Sequence, residues 1–248
     1  MKTTFGIELE FSLVHNQTYL GLERWTKENF GERWELGNDG SVNGIGSELR
    51  TIGGLDLSTI LKDYKQISKK LLGLYKEDKL YVDSTAGFHI HIGIDGWTLG
   101  ELKKFHTAFV SSLQFWFDFQ PSSRRNNRNC HSSISSEVFQ EISSTDHYKA
   151  INIGDSLSQN GTIELRVFAG TVQYWKVFNT LQLVNQYIKE IQKIKTFTEI
   201  ENGDNTPIRI IKNKKLKTFY LKRVKELNPS RYIDLKSKYK KEVAECAE

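Results

Sequence analysis

The chain has 248 residues, 38% hydrophobic and 26% charged, with a formal charge of +5. That is enough to bury a full core and too ordinary a composition for wholesale disorder. No apolar run approaches the roughly 20 residues that span a bilayer, Glu8 and Glu10 interrupt an apolar leader, and Cys130 and Cys246 make no disulfide framework, so a reducing, cytoplasmic setting is expected.

Taken in chain order, residues 5–12 alternate with period two. Phe5, Ile7, Leu9 and Phe11 point one way, and Gly6, Glu8, Glu10 and Ser12 the other. Tyr19 to Leu36, with Trp25 and Trp34, reads as a loop that shapes a substrate pocket. Asp39-Gly40-Ser41 is a turn, followed by a strand with Gly46, Glu48 and Arg50 on one face. Leu57 to Tyr75 has a helical period, with Asp56 or Ser58 as cap. Residues 87–94 alternate again, with Phe88, Ile90, Ile92 and Ile94 opposite Gly87, His89, His91 and Gly93.

Thr98-Leu99-Gly100-Glu101 has capping-box spacing and opens a helix expected to run to Phe119. Pro121 to Ser136 is a polar, arginine-bearing loop and a second pocket-forming segment. In the last strand Ile163, Leu165 and Val167 oppose Thr162, Glu164, Arg166 and Phe168, and a helix is expected over about Val172 to Ile194. Asn202 to Pro207 is rich in turn formers. It divides a catalytic unit, 1–201, from a Lys-rich helical extension, 202–248. Residues 189–248 hold 16 basic against 9 acidic side chains. Such a tail suits nucleic acid or an acidic partner, but solvated Lys-rich helices are commoner, and nucleic acid is not the expected partner. Strands and long helices in mixed order, without a regular β-α repeat, point to an α+β fold.

If the strands join one sheet, its polar face gathers Glu8, Glu10, Glu48, His89, His91, Glu164 and Arg166. Same-face carboxylates two residues apart lie about 6–7 Å apart at the backbone. Their repulsion is relieved by divalent cations, and hard oxygen ligands suit Mg²⁺ or Mn²⁺. A His-x-His strand also serves zinc hydrolases, but here its neighbours are mostly carboxylates. Gly87 leaves room for a ligand to approach the backbone. Arg166 beside Glu164 suits phosphate oxygens, and the loop with Arg124, Arg125 and Arg128 can close over a nucleotide in the same way.

The ordered set Phe5-Gly-Ile-Glu8-Leu-Glu10-Phe11, Asp39-Gly-Ser41 with Gly46-Ser-Glu48-Leu-Arg50, Gly87-Phe-His89-Ile-His91-Ile-Gly93, and Gly161-Thr-Ile-Glu164-Leu-Arg166 with Gly170-Thr171 resembles the amidoligases. Those belong to the glutamine synthetase and glutamate–cysteine ligase superfamily, and the resemblance covers about residues 4–190. It implies a curved, largely antiparallel sheet with helices on its outer face and an active site on its concave face. It implies that Glu8, His91 and Glu164 hold the metal near the ATP phosphates, and Glu10 and Glu48 the metal on the substrate side. His89 then lies nearer the substrate carboxylate, and the two histidines can exchange these roles.

Arg166 and the Arg125 and Arg128 loop would meet phosphate. Where the family has an arginine beside the tyrosine, this chain has His147, with Lys149 two residues on as the alternative cation. The implied activity is ATP-dependent amide or isopeptide formation between a small-molecule, peptide or protein carboxylate and an amine, with Asp39 or another carboxylate taking the amine proton. The competing reading is a metal-dependent hydrolase or nuclease whose basic tail binds nucleic acid.

Overall fold

A computed structural model describes residues 3–125 and 130–246. Seven strands form one sheet: β1 (Phe5–Leu13), β2 (Trp34–Asn38), β3 (Ile45–Thr51), β4 (Leu80–Tyr81), β5 (Gly87–Gly93), β6 (Ile151–Asn152) and β7 (Thr162–Ala169). Their order is β2-β3-β1-β5-β7-β6, with β4 also on β1, and every pairing between these strands is antiparallel. The fold is therefore mixed helix and sheet, of α+β type.

Period two explains the burial. Ile7, Leu9, Phe11, Leu49, Phe88, Ile90, Ile92, Ile163 and Leu165 share one core with the apolar stripes of helices Leu57–Lys76, Leu99–Ser111 and Tyr174–Lys193. Asp56 caps the first of these by accepting from the Thr59 N–H, and Thr98 and Glu101 close a capping box on the second. None of the helices among the described residues is long and apolar enough to cross a membrane.

Three expectations change. Tyr19 to Leu36 is not a pocket loop. Helix Asn16–Phe30 and strand β2 occupy it, and Trp34, 1% exposed, donates its indole N–H to Asp63. The helix expected to run to Phe119 stops at Ser111 and restarts as Leu113–Asp118. The Ser112 hydroxyl bonds back to the Ala108 and Phe109 carbonyls, the competition that bends or ends helices at serine.

Phe168 does not share a face with Glu164. On β5 only His89 lies between the pairs Phe88–Phe168 and Ile90–Leu165, whereas β7 carries Arg166 and Val167 there. This bulge sends Phe168 into the core against Phe88, Trp116 and Phe119. The C-terminal helices Lys214–Leu227 and Pro229–Lys238 contribute side chains to the common core. The Tyr220 hydroxyl donates to the Phe115 carbonyl, and Arg231 pairs with fully buried Asp118 at 2.7 Å.

Candidate functional site

The ladder registers assemble the polar face. Glu8 lies opposite His89, Glu10 opposite Glu48, and His91 opposite Glu164. Directly opposed residues share a face, so three strand pairings bring four acids and two imidazoles together without help from any loop. Glu8 receives both histidines: His89 Nδ1 lies 3.0 Å from Oε2 and His91 Nε2 2.8 Å from Oε1. Burial pushes the Glu8 carboxyl up, but the hydrogen bonds and charges of the two imidazoles outweigh it, and the group stays well below the usual carboxylate range. Burial lowers His91, but the bond to Glu8 together with the Glu8 and Glu164 charges outweighs it and raises the group.

Two donor groups result. In the first, ligand atoms of Glu8, His89 and Glu164 all lie within 4.8 Å of one another; in the second, those of Glu10, Asp39 and Glu48 do. Glu8 and Glu10, two residues apart on one strand, thus belong to different groups. Glu164 is fixed by the Asn152 amide at 2.8 Å and by Arg166 at 2.6 Å. Burial raises its pKa, and Arg166 with the two histidines brings it below normal.

The second group is poorly compensated. Burial and the Glu8 charge push Glu48 up to about 7, with Asp39 and Glu10 adding to the rise and Arg50 opposing it. Asp39 sits in the predicted turn, its carboxylate accepting the Ser41 N–H at 2.8 Å. Glu10 accepts the Gly87 N–H. Carboxylates gathered this closely, Glu10 buried and Asp39 and Glu48 half-buried, with Arg50 beside Glu48 and His89 3.3 Å from Glu10, are the donor chemistry that divalent cations satisfy.

Arginines border both groups. Arg124 is 1% exposed, and its Nη2 lies 3.1 Å from His89 Nε2 and 2.9 Å from the Arg166 carbonyl. Burial lowers its pKa. Arg124 Nε and Arg166 Nε are both buried without a hydrogen-bond partner. An open cavity of about 300 Å³ is lined by Glu8, His91, His147, Asn152, Asp155, Glu164 and Arg166, among others.

The expected site residues divide clearly. Glu8, Glu10, Glu48, Glu164, Asp39, Arg166, Gly87 and both histidines converge. Within the first donor group, however, the histidine is His89 rather than His91; His91 is turned to Glu8 and the Thr162 hydroxyl. Gly87 acts through its missing side chain: a Cβ there would stand 2.4 Å from Arg124 Nη2 and 2.6 Å from His89 Nε2.

Two expected phosphate ligands are elsewhere. Arg125 uses its guanidinium on the Gln120 and Leu227 carbonyls, and Lys149 is paired with both oxygens of buried Glu141. Arg128 lies outside the described residues. The loop arginine that reaches the site is Arg124, carried by the short 3-10 turn Ser122–Arg124. Asn152 and Thr162 were not singled out. Asn152 directly faces Glu164 across the β6–β7 pair, a placement that a two-residue strand does not announce.

No protein-family model matches the chain, and no curated protein matches it in sequence.

Proposed function

We propose that the chain is an ATP-dependent carboxylate–amine ligase of the amidoligase kind, working with Mg²⁺ or Mn²⁺ in a cytoplasmic setting. The observation that carries this reading is the division of one sheet face into two adjacent donor groups, Glu8–His89–Glu164 and Glu10–Asp39–Glu48, bordered by Arg124 and Arg166. The antiparallel strand order is compatible with the concave, glutamine synthetase-like sheet that the proposal includes.

The all-carboxylate group suits Mg²⁺ or Mn²⁺, and the imidazole-bearing group admits either. Cations held there would offset the acids' repulsion and the charge developing on phosphoryl oxygens. A substrate carboxylate oxygen attacks the γ-phosphorus, the bond to ADP breaks, and an acyl phosphate forms. The amine nitrogen then attacks the acyl carbon, phosphate leaves with the C–O electron pair, and a carboxylate such as Asp39 takes the proton. Arg166, held against Glu164, would neutralise phosphate oxygens. The substrates are a carboxylate and an amine of small molecules, peptides or protein side chains.

Calorimetric titration of ATP with and without Mg²⁺, on the wild type and Glu8→Gln, tests the proposal. Magnesium-dependent binding that the substitution weakens supports it; absence of ATP binding with every divalent ion sinks it. His89 in the first group favours one second reading, a zinc-dependent hydrolase. Zinc retained through purification, with metal-dependent cleavage and no ATP binding, would transfer the site to that class.

A further inference from the structure

A cavity of about 210 Å³ lies away from the acid face, between the β5 and β7 ends and helices Tyr174–Lys193 and Lys214–Leu227. That volume is roughly seven waters' share of the liquid. Phe119 and Phe219 form apolar wall, Thr171 and Thr180 supply hydroxyls, and Lys176 and Arg223 supply charge; none of the described lining residues is acidic.

The Thr171 hydroxyl accepts the Gln173 N–H at 3.2 Å, but Thr180, Lys176 and Arg223 are less well served from within the fold. Thr180 is 6% exposed, and its hydroxyl has no hydrogen-bond partner among the described residues. The Arg223 side chain is 16% exposed, and its carboxylate neighbour, Glu226, is solvent-facing and 3.9 Å away. Lys176 Nζ sits 5.7 Å from the Trp175 ring centre and pairs with no carboxylate among the described residues. Burial lowers the pKa of both cations, and Arg223 lowers that of Lys176 further. Two mutually repelling, partly desolvated cations beside an unpaired hydroxyl leave a surplus of donors facing one small space.

We propose that this cavity binds a small organic anion, a phosphate ester or carboxylate with a flat apolar body. Its anionic head lies among Lys176, Arg223 and Thr180, and its body lies against Phe119 and Phe219. The site is separate from the acid face and stands whether or not the chain is a ligase.

The test is calorimetry on the full chain in EDTA, titrating phenyl phosphate and benzoate separately to tell the two head groups apart. One-to-one saturable binding of at least one probe is expected, unchanged when Mg²⁺ replaces EDTA. Arg223→Gln and Lys176→Gln should each weaken it about tenfold or more, and Thr180→Val several-fold. Because the cations repel, Lys176→Gln should melt at the wild-type temperature or above, which separates lost binding from lost folding. Failure of both probes to saturate, or binding that survives both cation substitutions, overturns the proposal.

Discussion

Glu10 and Glu48 stand directly opposite one another in the β1–β3 ladder, where like charges destabilise a sheet. With Asp39 beside them, the folded protein carries a repulsion that a hydrophobic or amide pair would lack. Glu48→Gln should therefore raise the melting temperature in EDTA by about 2–4 °C, the effect of about 1 kcal/mol in a chain of this size. The same substitution should abolish any rise that Mg²⁺ or Mn²⁺ gives the wild type. A variant that melts lower in EDTA and keeps the metal effect would show that the acids are held by something other than a cation.

Gly87 is the position where the site leaves least room. A Cβ would press on Arg124 Nη2, His89 Nε2 and Glu10 Oε2 at 2.4, 2.6 and 2.9 Å. Gly87→Ala should cost about 1–3 kcal/mol of stability and weaken metal-dependent ATP binding at least tenfold. Gly21→Ala is the control. It meets nothing within 4 Å on helix Asn16–Phe30 and should stabilise by about 0.5–1 kcal/mol. Denaturant midpoints and ATP calorimetry on both variants decide the matter, and equal behaviour of the two would remove Gly87 from the site.

The acids and histidines were legible because period two is local: β1, β3 and β5 each carry an alternation that fixes which side chains share a face. Phe168 was not, because a bulge is a property of two strands, and nothing in Thr162–Ala169 alone shows that His89 must oppose two residues. The arginines show the same limit. Arg124 and Arg125 are neighbours in an aperiodic loop, and only the turn at Ser122–Arg124 decides that the first enters the site and the second ties down the helix ending at Leu227. Lys149 shows an equally non-local limit, since its partner is the buried carboxylate of Glu141.

Those arginine placements separate two variants. Arg124→Gln removes the group on His89 and the Arg166 carbonyl, and should reduce metal-dependent ATP binding at least tenfold. Arg125→Gln loses two bonds to carbonyls that join Gln120 to Leu227. It should lower stability by about 1–3 kcal/mol and leave ATP affinity within about twofold of wild type. Calorimetry and urea melts on the pair check this; the reverse pattern would restore Arg125 as the phosphate ligand.

His106 supplies a pH signature remote from the metal-binding acids. It is fully buried in helix Leu99–Ser111, and neither ring nitrogen has a hydrogen-bond partner. Burial lowers its pKa from 6.5 to about 4, with Glu141 and Glu137 opposing the fall and Lys149 adding to it. A folded-state value below the unfolded one means that the unfolded chain binds the extra proton between those two pH values. The contribution of neutral His106 is thus complete above pH 6.5 and is lost as pH falls towards 4. Glu48, raised to about 7, works in the opposite direction over much of that range, so the wild type alone can look flat. The informative quantity is the difference between wild type and His106→Leu. In EDTA, the stability advantage of His106→Leu should grow by about 2 kcal/mol between pH 7.5 and pH 5, read from urea midpoints at each pH. An advantage that stays constant would mean that His106 is protonated, or finds a partner, inside the fold.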